Sequence, residues 1–312
     1  MNKEILIFGD IMLDCYIKGE SNRLSPEAPV PVVNVNKEFY KLGGAANVAQ
    51  NISNLNSICS VCGLVGNDQG GKTVANLFQK SNIGDFSFVP NENFITTIKT
   101  RIVSGNQQIV RFDKEIILPD SSIFSQNKIK EMLTKKSQEI VIVSDYGKGA
   151  CSEQMMETLF QHKADIKILI DPKGNNWEKY NGAYLVKPNL KELSVIVGEE
   201  IKNTDEDISY FGKIVLEKFN FQYLLVTRGA NGMSLISKEQ VSHHTVEKIR
   251  VYDVSGAGDT VISVLAVMLN NGHDIKEAVD IANEAGRFVV SQPDTYAINQ
   301  EELENIRKKK YL

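Results

Sequence analysis

Asp253-Val254-Ser255-Gly256-Ala257-Gly258-Asp259-Thr260-Val261 is the stretch on which the reading of this chain turns. It follows a strand-like run, Glu247 to Tyr252, and opens an apolar helical pattern, Val261 to Leu269. Two of the three residues in the Gly256-Ala257-Gly258 turn lack a Cβ, so backbone can come close to a ligand there. The unpaired N–H groups of the new helix point into the turn, and the helix dipole favours an anion. Asp259 falls in the same first turn. A carboxylate beside an anion-binding turn has the parts for phosphoryl transfer. The turn steadies the moving group, and Asp259 takes a proton from the attacking hydroxyl. The plainer alternative is a tight strand-to-helix connection in which Asp259 stabilises the helix N-terminus.

Outward from this stretch, short apolar runs alternate with helical patterns, which predicts an α/β fold with a mainly parallel central sheet. The predicted core strands are Ile5–Phe8, Ser60–Leu64, Ile140–Val143, Ile168–Ile170, Ala183–Val186 and Leu224–Val226. Several end in polar or glycine residues: Gly9-Asp10, Ser144-Asp145, Asp171, Lys187 and Thr227. Ligands of open α/β sheets bind at the carboxyl ends of strands, so this recurrence marks the working face. Helices are predicted over Ala45–Leu55, Gly71–Lys80, Ser125–Lys135, Asp205–Phe219 and Ile275–Ser291. Pro29–Val35, and Thr96–Val103 with Gln108–Asp113, read as strands without intervening helices, the last two joined by a turn at Ser104-Gly105-Asn106-Gln107. Together they predict a small β-sheet lid, formed by segments about 11–40 and 95–115, over a single domain spanning 1–312.

Composition narrows the class. With 42% hydrophobic and 24% charged residues, the chain is an ordinary globular one. A net charge of −4 argues against nucleic acid as a partner, because phosphate-backbone binding needs clustered Lys and Arg. No apolar run approaches the roughly 20 residues of a membrane helix, and the N-terminus lacks a signal-peptide pattern, so a cytoplasmic protein without a membrane partner is expected. Cys59 and Cys62 match C-x-x-C, but residues three apart on a strand point to opposite faces, which suits chelation poorly.

Four segments in order resemble the PfkB-type, or ribokinase-like, carbohydrate kinases. They are Gly43-Gly44-Ala45-Ala46-Asn47, Asn189-Leu190-Lys191-Glu192, Thr227-Arg228-Gly229-Ala230-Asn231-Gly232 and Asp253 to Thr260. The resemblance implies a ribokinase-like three-layer sandwich. A closer likeness is to the D-glycero-D-manno-heptose 7-phosphate kinases. It rests on Gly9 to Asp14, Arg23 to Pro31, Ser144 to Gly149 and Asp171-Pro172-Lys173-Gly174. It implies ATP-dependent phosphorylation of the anomeric hydroxyl to the 1,7-bisphosphate, for ADP-heptose and lipopolysaccharide core synthesis. In many bacteria such a kinase is fused to a C-terminal nucleotidyltransferase domain. Here no H-x-G-H-type element is found before Leu312, so only the kinase half is expected. The alternatives are another PfkB-type kinase, acting on fructose 6-phosphate, ribose or a nucleoside, and a catalytically silent sugar- or nucleotide-binding regulator.

Site residues follow from both readings. Asp259 is the expected base, and Gly256, Ala257 and Gly258 form the anion hole. Asp10 and Asp14 offer carboxylates to sugar hydroxyls. Gly43 and Gly44 let a sugar approach backbone, and Asn47 supplies both donor and acceptor. Asp145, in the heptose-kinase segment Ser144 to Gly149, is a further expected substrate-binding carboxylate. Arg111, Lys148 and Lys173 are the expected cations for a substrate phosphate away from the anomeric end. The resemblance assigns Asn189 and Glu192 to the ATP–Mg²⁺ site, Glu192 acting through metal-bound water, which suits an ion that keeps several waters. It assigns Thr227, Gly229 and Gly232 to the nucleotide. Arg228 is either an added charge there or a solvated loop residue. Where the heptose kinases usually carry Gly-Lys-x-Gly-Thr, this chain has Val290-Ser291-Gln292-Pro293-Asp294-Thr295, which leaves activation by a monovalent cation open. Unpaired edges of the lid sheet predict a homodimer.

Overall fold

The computed structural model describes residues 3–310 apart from 82, 84–85, 92–93, 119–125, 135–138 and 163–165. The chain opens with β1 (Ile5–Leu24), a strand that belongs to two sheets. The sequence reading ended this strand at Phe8, taking Gly9-Asp10 as a break. Gly9 is instead a point of close packing, where a Cβ would stand 2.2 Å from the carbonyl oxygen of Ser144 on the neighbouring strand.

Next come β2 (Pro31–Gly44), α1 (Ala45–Asn54), β3 (Cys59–Gly66), α2 (Gln69–Lys80) and β4 (Phe86–Asn91). The hairpin β5 (Thr97–Ser104) and β6 (Gln107–Lys114) turns at Gly105-Asn106, within the turn predicted there. Alternation then resumes with α3 (Gln126–Thr134), β7 (Ile140–Ser144), α4 (Glu153–Gln161), β8 (Lys167–Asp171) and β9 (Leu185–Val186). Of the predicted helix Ser125–Lys135, the two end residues lie outside the described ones. The remaining elements are α5 (Leu190–Val197), α6 (Asp205–Lys218), β10 (Tyr223–Thr227), β11 (Met233–Ile236), β12 (Val241–His244), α7 (Ala257–Asn270), α8 (Ile275–Val289) and α9 (Gln300–Lys310).

The main sheet runs β12-β11-β10-β9-β8-β7-β1-β3-β4, parallel from β10 to β4, with β11 and β12 antiparallel at one end. Strand periodicity sorts its side chains into two layers. Ile5, Ile7, Ile140 and Ile142 pack under α1, α2, α7, α8 and α9, whereas Leu6, Phe8, Val141 and Val143 pack under α3, α4, α5 and α6. Cys59 and Cys62 fall in opposite layers, as three-residue spacing on a strand requires. Helix α7 is buried from Asp259 to Leu269, which explains why its sequence is apolar on all sides.

The far half of β1 carries the small sheet, ordered β2-β1-β5-β6, with Met12 opposite both Gly43 and Thr97. One strand therefore fixes the small sheet to the main one. The strand-like run Glu247–Tyr252 is not a strand. Tyr252 and Asp253 donate their N–H groups to the Val290 carbonyl at the end of α8, and the segment lines a cleft with Ile249 and Val251 instead of pairing. Ile249 and Val251 face that cleft, which a periodicity argument cannot distinguish from a sheet face.

Candidate active site

Asp259 sits one turn into α7 and is 3% exposed. Gly256 caps that helix with φ 79°, a left-handed backbone that suits glycine. A Cβ on Gly256 would stand 2.8 Å from Asn47 Nδ2 and 2.9 Å from Thr295 Cγ2, so the turn is also packed too tightly for a side chain. The Asn47 amide donates to Asp259 Oδ2 across 2.7 Å, and the Tyr146 hydroxyl donates to Oδ1 across 2.8 Å. Burial pushes the Asp259 carboxyl up to a pKa of about 7, against the pull of these bonds and of Lys187, with the Asp171 charge adding to the rise. The positive end of α7 favours an ionised Asp259, but burial is the larger effect.

The sugar-signature residues gather at the same point. Asp14, in the half of β1 that carries the small sheet, accepts from Arg101 Nη1 at 2.6 Å and from Thr295 Oγ1 at 3.2 Å. A Cβ on Gly43 would stand 3.0 Å from Asp14 Oδ2, so glycine there keeps the carboxylate face open. A Cβ on Gly44 would stand closer still, 2.4 Å from the Asp10 carbonyl oxygen. Asn47 is held by Asn51, whose Nδ2 donates to the Asn47 carbonyl and whose Oδ1 accepts from Thr260 and from the Ile298 amide. Helices α1 and α7 are thus pinned together by polar bonds at the catalytic end.

Two expected sugar ligands are occupied otherwise. Asp10 accepts three backbone N–H groups, those of Tyr146 and Lys148 on Oδ2 and that of Ala150 on Oδ1, so its carboxylate shapes the Tyr146–Ala150 loop. Burial, with the nearby Asp145 charge, raises its pKa to about 6. Asp145 binds Lys179 at 2.6 Å and the Tyr180 hydroxyl at 2.7 Å, beneath the same loop. Asp10, by its spacing from Asp14, and Asp145, by resemblance, both read as sugar-binding in sequence, because a loop anchor and a polyol ligand use the same carboxylate.

The three expected cations do not form one cluster. Arg111 lies exposed on β6 and pairs with Asp113; Lys148 pairs with Glu115 at 2.9 Å. Lys173 points away from both, to Glu192 Oε1 at 3.1 Å, in the cleft lined by Asn189 and Thr227. The residue missed is Lys99. Its ammonium lies 5.1 Å above the Tyr146 ring, and among the described residues it meets no hydrogen-bond acceptor. Burial lowers its pKa; Asp14 and Asp113 oppose this, and the like charges of Lys148 and Arg111 add to it. Lys99 and Arg101 alternate on β5, so strand periodicity, applied to charge, would have put both on one face.

On the other side of Gly258 a cleft of roughly 530 Å³ is lined by Asp171, Lys173, Lys187, Asn189, Glu192, Thr227, Arg228 and Gly229. Asn189 and Glu192 form a reciprocal cap on α5: Asn189 Oδ1 accepts from the Glu192 amide and Glu192 Oε2 from the Asn189 amide. Glu192 gives this cleft a hard oxygen donor of the kind Mg²⁺ takes, and with Oε2 capped and Oε1 on Lys173, its ligation of Mg²⁺ through water would fit the residues present. Arg228 is no solvated loop residue; it is buried against Asp205, Asn203 and Ser234 and braces the Thr227–Gly229 turn. Gly229 opens onto the cleft, whereas a Cβ on Gly232 would stand 2.0 Å from the His244 carbonyl, so Gly232 is required by a tight turn. A second, apolar cleft of roughly 390 Å³ adjoins at Gly229 and Gly258, walled by Ile249, Val251, Val261, Gly286 and Val290. In place of the family's Gly-Lys-x-Gly-Thr, Asp294 pairs with Lys18 and the Thr295 carbonyl accepts from Lys41 at 2.7 Å.

Among solved structures, phosphofructokinase-2 from Escherichia coli in complex with potassium superposes with a TM-score of 0.82 at 16% identity, covering 100% of both chains. Ribokinase from Thermotoga maritima gives 0.76 at 18%, covering 99% of this chain and 100% of that one. At such identities these show the fold: a ribokinase-like α/β sandwich, as expected from the sequence. The bifunctional protein HldE of Haemophilus influenzae (strain PittEE) is 41% identical over 309 residues, 97% of this chain and 63% of that protein. Campylobacter curvus HldE is 39% identical over 307 residues, 97% of this chain and 64% of its own length. The chain thus spans under two thirds of these relatives. The profile of the pfkB family carbohydrate kinases matches residues 2–302, and the chain belongs to that family.

Proposed function

We propose that this carbohydrate kinase phosphorylates the anomeric hydroxyl of D-glycero-β-D-manno-heptose 7-phosphate, with ATP as donor, giving the 1,7-bisphosphate for ADP-heptose synthesis. The substrate hydroxyl lies on the Asn47–Asp14 side of Asp259 and the triphosphate on the Gly258 side. Asp259 takes the hydroxyl proton, the new bond forms between that oxygen and the γ-phosphorus, and the bond to the bridging oxygen breaks to release ADP. The N–H groups at the start of α7 receive the charge of the transferring group. A pKa near the working pH suits a base that must be free before each turnover. Bound Mg²⁺ supplies charge neutralisation to the phosphates from the Glu192 side.

Lys99 carries the choice of a phosphorylated substrate. It is a half-buried ammonium without an acceptor among the described residues, next to Tyr146 and flanked by Lys148 and Arg111. A neutral sugar offers such a group nothing that water does not, whereas a phosphate supplies the missing acceptor. The likeness to the HldE proteins supports the same class. The apolar cleft beyond Gly229 suits the adenine ring. The protein acts as a cytoplasmic homodimer, its contact made by the outer edges of the small sheet, where Val35, Val110 and Phe112 are exposed. No helix among the described residues is long and apolar enough to cross a membrane.

An ADP-release assay across heptose 7-phosphate, fructose 6-phosphate, ribose and a nucleoside tests the substrate. The heptose phosphate is expected to give the highest kcat/KM; preference for a neutral sugar would overturn the reading. A monomeric mass at micromolar concentration would remove the dimer.

A further inference from the structure

Lys187 follows β9 at the carboxyl edge of the sheet and is 3% exposed. A lysine is seldom so buried unless its charge is matched. Asp171 Oδ1 matches it at 3.0 Å. An ammonium has three donors, however, and Asp171 is its sole hydrogen-bond partner among the described residues. The rest of the group faces the anion hole: a Cβ on Gly258 would stand 3.2 Å from Lys187 Nζ. The side chain lines the same cleft as Glu192, Thr227 and Gly229. Another deeply placed lysine, Lys179, gives the contrast. Its ammonium bonds Asp145, the Cys151 carbonyl and the Tyr180 ring, and it lies away from the cleft.

We propose that Lys187 is a catalytic residue, its ammonium holding the phosphoryl group in transit between the nucleotide and the sugar hydroxyl, opposite the N–H groups of Gly258 and Asp259. The inference rests on the kinase reading above. Lys187 keeps all its protons and donates hydrogen bonds to the non-bridging oxygens. The proton from the hydroxyl goes to Asp259, and ADP leaves with the bridging oxygen. Asp171 holds the ammonium in place, so it is a positioning residue. Glycine at 258 is needed to leave the ammonium room. The positive charge has a second effect, since it also favours the ionised form of Asp259.

The test uses Lys187→Met, Lys187→Arg and the double variant Asp171→Asn/Lys187→Met, in which no buried carboxylate is left unpaired. Removing one donor to the developing charge should lower kcat by about 10²–10³-fold, in the single and the double variant alike, with the sugar KM changed little. The low-pH limb of the kcat profile should move to higher pH in Lys187→Met and stay in place in Lys187→Arg. Calorimetry supplies a readout apart from turnover. ADP alone, with Mg²⁺, should bind the variants as it binds wild type, while the affinity gained by adding aluminium fluoride and sugar phosphate should be lost. A double variant that keeps more than about a tenth of wild-type kcat, or the full aluminium fluoride gain, would show Lys187 to be a structural partner of Asp171. A wild-type protein that turns over none of the sugars would sink the kinase reading, and this inference with it.

Discussion

The amide of Asn47 stands 2.7 Å from Asp259 Oδ2, so the first and last signature segments of the chain meet at one carboxylate. The bond holds the carboxylate in its charged form against burial, which pushes it up to about 7. A base must be deprotonated to act, and a group with a raised pKa is protonated over the acid side of neutrality. Activity is therefore present above about 7 and lost below it. Measured as kcat at saturating substrates, it should fall about tenfold per pH unit on that side. A flat profile between pH 5.5 and 8 would mean that Asp259 is not titrating as the base.

Asn47→Ala should move that limb. A hydrogen bond to a charged group contributes about 1.5–3 kcal/mol, and 1.36 kcal/mol is one pKa unit, so an alkaline shift of roughly one to two units is expected. An unshifted limb with reduced kcat would assign Asn47 to the sugar alone.

Lys99→Ala should raise KM for a phosphorylated sugar by about 10–100-fold, the worth of one charge-assisted bond, and leave KM for ATP near its wild-type value. Lys173→Ala should act on the nucleotide side instead, because its ammonium bonds Glu192. Equal effects of Lys99→Ala on phosphorylated and neutral sugars would remove the phosphate from its neighbourhood.

Asp10→Ala leaves three N–H groups of the Tyr146–Ala150 loop without their acceptor. At about 1 kcal/mol or more for each, the melting temperature should drop by several degrees. An unchanged melting temperature with a raised sugar KM would return Asp10 to the sugar site.

Glu192→Gln preserves much of the helix cap, since glutamine also serves in a capping box. Thermal stability should change little while the Mg²⁺ concentration for half-maximal rate rises. Unaltered Mg²⁺ dependence would take Glu192 out of the metal's surroundings.

The layering of the fold could be read from strand periodicity, because Ile5, Ile7 and Ile142 alternate with Leu6, Phe8 and Val143 between two apolar layers. The length of β1 could not, since Gly9 looks like a break until the strand beside it is known. The same division holds at the site. Asp259 and the glycine turn announced themselves through local spacing, Asn47 through the family resemblance of its segment, and the structure brings them together. Asp10 and Asp145 did not separate from sugar ligands in sequence, because what distinguishes them is which N–H groups and cations the fold brings to their oxygens. Lys99 was passed over, and Lys187 was marked only as a strand end on the working face, for a related reason: an exposed lysine and a buried one with spare donors look alike until burial is known.

The central claim is that Asp259 is the base, and Asp259→Asn tests it most directly. Asparagine is nearly isosteric and leaves the N–H groups of Gly256 to Gly258 in place, but it cannot take the proton. We predict a fall in kcat of about 10²–10⁴-fold, with KM for ATP and for the sugar phosphate little changed. A variant that keeps more than about a tenth of wild-type kcat would contradict the account and leave Asp259 as the cap of its helix.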